Sequence, residues 1–172
     1  MQTSINEAGQ PAGSPGDIEG DVDTASGFSE EASAEIEFGS GVDKGTAERG
    51  AIIPTASGGL FLGVVQHSHD HHQGEDGDLG DDGLKPDAGF AIVQKGKVAL
   101  KLDVGVTTIA PYSDRGFLRY ASNGGNTVKG RWGKATDAGN RDLTTKVLFI
   151  SSVRTAPDGT LYAMAMVDVA NE

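Results

Sequence analysis

Residues 90–106 hold the clearest structural pattern in this sequence of 172 residues. The second half of the stretch alternates apolar side chains with others, which is typical of a strand with one buried face. Between the two halves, Gly96 stands between two lysines and offers the positive φ that a tight turn requires. The sequence therefore predicts a β-hairpin that turns at Lys95 and Gly96, at the centre of a small β-body. Its apolar face would consist of Val98, Leu100 and Leu102.

The rest of the chain has the pattern of short strands joined by turns. It contains 26 glycines and 6 prolines without a repeat period, and this composition favours many turns. A hydrophobic fraction of 37% predicts a modest core. The fold class predicted is all-β, a small barrel or a jelly-roll-like sandwich with an extended N-terminal arm. Further strands are expected within 36–44, 51–54, 60–65, 107–112, 116–120, 146–153 and 161–169, the last two as a hairpin that turns at 157–159.

Residues 1–34 form the predicted arm, and residues 35–172 the β-body. Large apolar residues are few in the arm, so it cannot by itself bury enough surface to offset the entropy of ordering. Two interpretations stay open, namely a disordered tail and an arm that orders along a neighbouring subunit. In the second interpretation, the interface residues predicted in the arm are Ile5, Pro15, Ile18, Val22 and Phe28.

A long exposed loop is predicted at 66–88, because this segment is polar, rich in glycine and acidic. It contains all 4 histidines of the chain. In an extended segment His67, His69 and His71 would point the same way, and three imidazoles can bind zinc, nickel or copper. A metal-binding β-module is therefore the alternative function. The acids that follow do not match a calcium-binding loop, because glycine occupies two of its ligand positions.

Charge and motifs exclude several function classes. A formal net charge of −11 opposes binding to nucleic acid and to anionic membranes. The Gly-Lys pair at 133–134 does not form a phosphate-binding loop, because Ala135 stands where Ser or Thr is required. The chain has no cysteine and no Ser-His-Asp arrangement, so we predict no catalytic residue, no cofactor and no enzymatic activity. Without a signal peptide or a long apolar run, synthesis and retention in a cytoplasm are expected.

Acidic and basic residues are unevenly distributed along the chain. Residues 1–48 hold eleven acids and one lysine, whereas residues 89–172 hold eleven basic residues and seven acids. Basic and aromatic residues are interleaved at 115–141, and an interface with an acidic protein surface, or with the chain's own acidic arm, fits them better than nucleic acid does. Trp132, the sole tryptophan, is expected as an anchor of the core or of an interface. The interface residues predicted here are Arg115, Arg119, Arg131 and Trp132.

The order of these segments resembles that of the structural cement, or head decoration, proteins of tailed bacteriophages. The shared features are glycine turns and apolar strands, and their order and spacing carry the resemblance. They are SPGD at 14–17, FGSGV at 38–42, KG at 44–45, IP at 53–54, LFLGV at 60–64, VQKGKV at 93–98, PY at 111–112, Phe117, FISS at 149–152 and DG at 158–159. The loop at 66–88 departs from the pattern, because it is longer and richer in histidine and acid.

This resemblance implies a small β-rich module that binds the outside of an expanded capsid, as a dimer or trimer near local symmetry axes. Such a module adds contacts between capsomers. The implied partners are the major capsid protein and further copies of the chain, and the implied location is the capsid outer surface after synthesis in the host cytoplasm. The expected mechanism places residues 1–45 over an adjacent capsid subunit or sister subunit, while the β-body sits on the shell.

Overall fold

The computed structural model describes residues 13–67, 83–84, 87–122, 128–135 and 138–171. These residues form thirteen β-strands and no α-helix. The described part of the chain therefore contains no helix that could cross a membrane. The strands are β1 (Ile18–Ser29), β2 (Ile36–Glu37), β3 (Gly41–Lys44), β4 (Gly50–Ile52), β5 (Phe61–Val65), β6 (Gly83–Leu84), β7 (Gly89–Lys101), β8 (Phe117–Arg119), β9 (Trp132–Gly133), β10 (Asn140–Asp142), β11 (Val147–Phe149), β12 (Arg154–Thr155) and β13 (Leu161–Asp168).

Three sheets make up the described part of the chain. The largest has eight strands, in the order β1-β4-β3-β5-β7-β13-β11, with β12 paired to β13 and a second pairing between β1 and β7. A three-stranded sheet has the order β10-β8-β9, and β2 pairs with β6. The sheets pack in a sandwich-like arrangement and do not form a closed barrel. The all-β prediction is confirmed, and the sandwich is the correct one of its two architectures.

β7 is the central strand, paired with β1, β5 and β13. The predicted hairpin is wrong, because β7 continues through Lys95 and Gly96 as a single strand. Gly96 does adopt a positive φ of 124°, but a close approach of β1 explains it. A Cβ at Gly96 would lie 2.7 Å from Cγ1 of Val22. Glycine is therefore used here to admit a neighbouring strand and not to reverse the chain.

β1 lies within the predicted arm and pairs antiparallel with β7 from Ile18 to Phe28. At its end, Phe28 and Ser29 also pair in parallel with β4. β1, β2 and β3 pair with strands of their own chain, so these parts of residues 1–45 belong to the body, and the expectation that residues 1–45 contact a neighbouring subunit stays a prediction. Residues 1–12 lie outside the described residues, and the domain boundary at residue 34 stays a prediction.

The main hydrophobic core lies on one face of β7, β13 and β11 and receives side chains from β8 and β9. Trp132 is fully buried in it. The indole Nε1 donates a hydrogen bond to the carbonyl oxygen of Gly39 at 3.1 Å, and the ring meets Phe61 edge-on at a centroid distance of 5.8 Å. The strand predicted at 107–112 is wrong, because no strand forms there. Ile109 is buried in this core, and at the end of the segment the N–H of Tyr112 donates one hydrogen bond to the carbonyl oxygen of Phe149 in β11, at 2.8 Å. The apolar residues of the segment thus reflect burial more than strand pairing.

The C-terminal hairpin is confirmed, since β13 pairs antiparallel with β11 and β12. Its two faces differ as the alternation predicts. Ala163, Ala165 and Val167 enter the main core. Tyr162 and Met164 lie on the opposite face, where they form a separate small cluster with Ala99 and Ala156.

Two buried ion pairs connect the three-stranded sheet with the rest of the body. Arg141 of β10 binds Asp43 of β3 through two hydrogen bonds, at 2.5 and 3.0 Å. Arg119 of β8 donates from Nε to Oδ2 of Asp103 at 2.6 Å. All four side chains are at most 8% exposed. Because a buried charge is costly when its partner is lost, these pairs hold the sheets in one relative position.

A third charge cluster joins the two-stranded sheet to β7. Glu37 of β2 accepts two hydrogen bonds from Arg131, at 2.8 and 2.7 Å. Its Oε1 also lies 3.1 Å from Nζ of Lys101, a lysine whose side chain is only 3% exposed. Burial acts to raise the pKa of Glu37, but the hydrogen bonds and charges of Arg131 and Lys101 outweigh it, so this pKa is lowered from its usual value of 4.5. The carboxylate is therefore held ionised.

Candidate interaction surface

A row of exposed and half-buried side chains crosses the eight-stranded sheet on the face opposite the main core. Leu148 of β11 is paired with Met166 of β13, which is paired with Lys97 of β7. Lys97 is in turn paired with Glu19 of β1, and its Nζ lies 3.3 Å from Oε1 of that glutamate. Met166 is 48% exposed. The row therefore changes from apolar at β11 to charged at β1.

A second row lies beside the first. Lys95 of β7 is paired with Asp168 of β13, and its Nζ lies 3.4 Å from Oδ2 of that aspartate. On its other side Lys95 is paired with Asp23 of β1. This row is charged along its whole length. The two rows together are called the β13 face, and its residues are Leu148, Met166, Lys97, Glu19, Asp168, Lys95 and Asp23.

A groove of about 470 Å³ opens beside these rows. Val147, Leu148 and Met166 contribute apolar parts of its lining, whereas Asp21 and Arg115 contribute charges. Arg115 is exposed, and its Nη1 donates a hydrogen bond to the carbonyl oxygen of Thr144 at 3.0 Å. Apolar side chains bordered by polar and charged ones are usual in a protein–protein interface. The groove and the β13 face can thus act together as one interaction surface.

The predicted interface residues of the arm differ in accessibility. Ile18 is 39% exposed. Pro15, Val22 and Phe28 are half-buried against the rest of their own chain. Ile5 lies outside the described residues. The role of these residues at an interface stays a prediction.

The four basic and aromatic residues predicted at an interface differ in how far they are exposed. Arg115 is exposed beside the groove, and Arg131 is half-buried in the charge cluster of β2. The other two require correction, because Trp132 is 0% exposed and Arg119 4% exposed. Trp132 fills the main core and Arg119 neutralises a buried aspartate, so both support the body from inside. The interface role of the exposed members stays a prediction.

The segment that precedes β1 is fixed beside His67. Gly16 donates its backbone N–H to the carbonyl oxygen of Ala99 at 2.7 Å, and it accepts a hydrogen bond from the N–H of His67 at 2.9 Å. Nδ1 of His67 lies 3.1 Å from Oδ1 of Asp17. The imidazole also meets the ring of Phe38 edge-on, with the ring centres 4.9 Å apart. His67 therefore connects this segment to the body.

The alternative metal site is tested by the structure only at His67. His69 and His71, its other two members, lie outside the described residues. Within the described residues, no group of three or more His, Asp or Glu side chains is arranged to hold a metal ion. The structure thus provides no described ligand set on which a metal function could be built.

Sequence reasoning missed Met166 as a surface residue of interest, although a signal was present. On the second face of β13, the alternate positions hold Tyr162, Met164 and Met166, three large and largely apolar side chains. A face that is wholly exposed to water would not be expected to carry such a series. Tyr162 and Met164 are 1% and 7% exposed. Because Ala156 and Ile150 pack there, only Met166 of the three remains open to solvent.

Comparison with known protein families identifies a match over nearly the whole chain. A family model described as "Structural cement protein (E217 gp24/Pam3 gp6)" matches residues 1–167, which is nearly the whole chain. No curated protein matches the sequence. The matched range contains the predicted arm and, except for Asp168 at the end of β13, the strands that carry the β13 face.

Proposed function

Because the chain belongs to the bacteriophage structural cement proteins, we propose that it binds the outer surface of the phage capsid and stabilises contacts between capsomers. Its partners in this role are the major capsid protein and further copies of itself, as a dimer or trimer. It is made in the host cytoplasm and acts on the outside of the virion. The role requires no enzymatic chemistry.

The β13 face carries this proposal. Met166 and the apolar lining of the groove offer surface whose burial favours association. The ion pair of Lys95 with Asp168 is exposed, with 63% and 40% of its side chains accessible. Exposed charges of this kind add little affinity, but they restrict the orientation of a partner. The face is thus suited to a partner that must bind in one orientation.

Contacts of modest strength are sufficient for such a role. A cement protein occupies many equivalent positions on a shell, and linked binding events reinforce one another. The buried ion pairs of the body support this function in another way. A rigid body loses little conformational freedom on binding, so less of the contact energy is offset by ordering.

Mixing the purified protein with expanded shells that lack it tests the proposal. Cosedimentation measures the affinity, and electron cryomicroscopy locates the added density. We expect saturable binding, with density outside the shell where capsomers meet. Density inside the shell, or a failure to bind, contradicts the proposal.

Two charge-introducing variants test whether the β13 face makes the contact. Met166→Glu should weaken binding at least about tenfold, because a carboxylate would be desolvated in an apolar contact. The matched control is Leu60→Glu, at a leucine that is 67% exposed and precedes β5. β7 separates β5 from β13 in the sheet, so the control should bind as the wild type does. Equal binding by both variants would assign the contact to another surface.

A further inference from the structure

β1 has an open edge. From Ile18 to Phe28 one side of the strand pairs with β7, whereas the other side pairs with β4 only at Phe28 and Ser29. Among the described residues, no strand pairs with the outer side of residues 18–27. We call this side the β1 edge. A sheet edge with unpaired backbone groups can accept an additional strand.

The hydrogen bonds at the end of β1 show which amides face outward. Ser29 donates its N–H to Ala88 on the β7 side, at 3.0 Å, and Phe28 donates to Arg49 on the opposite side, at 3.1 Å. Successive amides of a strand point to opposite sides, and the register with β7 is regular from Thr24 to Phe28. The N–H groups of Thr24 and Ser26 therefore point to the open side.

The chemistry of the β1 edge selects against a second copy of the chain. β1 contains Glu19, Asp21 and Asp23 and no basic residue. Two copies paired edge to edge would bring these carboxylates together, and like charges on neighbouring strands are destabilising. Acidic residues and the register irregularity between Glu19 and Thr24 also protect an edge from unspecific pairing. A strand that carries lysine or arginine would instead gain from the same carboxylates.

We propose that the β1 edge accepts an extended, basic segment of the major capsid protein as an additional strand of the eight-stranded sheet. The segment pairs with residues 24–27, where the register is regular. Its lysine or arginine side chains lie beyond the paired part, toward Asp21 and Asp23. Backbone pairing supplies the affinity, and the charges fix which segment is accepted. The inference rests on the proposed binding to the capsid.

Proline scanning of β1, with shells as the probe, tests the inference. Thr24→Pro removes an outward N–H and leaves the bonds to β7 in place, as proline is tolerated on the open side of an edge strand. It should weaken shell binding at least about tenfold at unchanged Tm. Thr24→Ala keeps the N–H and should bind as the wild type does. Ala25→Pro removes an inward N–H and should lower the Tm, which checks the assigned orientation.

Two further measurements do not depend on the fold of a proline variant. Asp21→Asn combined with Asp23→Asn should weaken binding at low salt and flatten its salt dependence. Hydrogen exchange should slow at residues 24–27 when wild-type protein is bound to shells.

Wild-type protein that binds shells with neither effect overturns the inference and leaves the proposed function standing. Wild-type protein that does not bind shells overturns both. A dimer in solution that Thr24→Pro abolishes would identify a second copy as the occupant and overturn the choice of partner.

Discussion

Replacing Glu37 with glutamine tests whether the charge cluster of β2 and β7 stabilises the body. The carboxylate accepts two hydrogen bonds from Arg131 and lies 3.1 Å from Nζ of Lys101. Loss of one partner of a buried pair costs about 3–5 kcal/mol. Glutamine keeps the shape and one acceptor oxygen, and the Glu37 side chain is 20% exposed. We therefore expect Glu37→Gln to lower the free energy of unfolding by about 2–3 kcal/mol.

The same substitution makes a prediction about pH. The pKa of Glu37 is lower in the folded chain than its usual value of 4.5. A carboxyl group with a lowered folded pKa contributes stability that is complete above its unfolded pKa and is lost as the pH falls through its folded pKa. The stability difference between wild type and Glu37→Gln should thus be constant near neutral pH. It should shrink as the pH falls below about 4.5.

Urea denaturation at several pH values measures this difference, with the midpoint and the slope m fitted for each protein. The matched control is Glu35→Gln, an equivalent change at an exposed glutamate two residues away. The control should change the free energy of unfolding by less than about 0.5 kcal/mol. If Glu37→Gln matches the control, or if its effect is unchanged at acid pH, the cluster does not stabilise the fold through its charge.

Two other predictions concern β1. Gly96→Ala should lower the Tm, because φ is 124° and the new Cβ would lie 2.7 Å from Cγ1 of Val22. The control Gly105→Ala, with nothing within 4 Å of its Cβ, should leave the Tm nearly unchanged. Equal shifts in the two variants would refute the close approach of β1 to Gly96. Deletion of residues 1–29 removes β1 and should unfold the body, as judged by circular dichroism. A folded product of this deletion would show that β1 is dispensable.

Strands with a buried face could be predicted from the sequence, and β1 could not. β5 and β13 place apolar residues in the cores, so their hydrophobic patterns indicate both structure and burial. β1 has exposed or half-buried side chains along almost its whole length. It is held largely by backbone pairing with β7, and backbone pairing leaves no hydrophobic period in a sequence. Composition therefore indicated an arm where the structure has a strand.

Gly96 shows a second limit of local patterns. A glycine between two lysines has the composition of a hairpin turn, and its φ is indeed positive. Whether such a glycine turns the chain or admits a neighbour depends on a strand more than sixty residues earlier. Buried charges pose the same problem, since Arg141 and Asp43 are 98 residues apart in the sequence. The sequence predicted Arg119 at an interface, because a separation of 16 residues does not indicate that Asp103 is its buried ion-pair partner.

The positions of the β13 face and the β1 edge constrain how a capsid would hold this protein. Both lie on the eight-stranded sheet, and Glu19 and Asp23 belong to each of them. A partner segment added to β1 would therefore lie next to the charged end of the β13 face. Two linked contacts bind more tightly than either alone when their geometry allows both to be engaged at once. The continuous strand β7, paired with both β1 and β13, supplies this fixed geometry. A break in the pairing of β1 with β7 should thus weaken capsid binding at both surfaces at once.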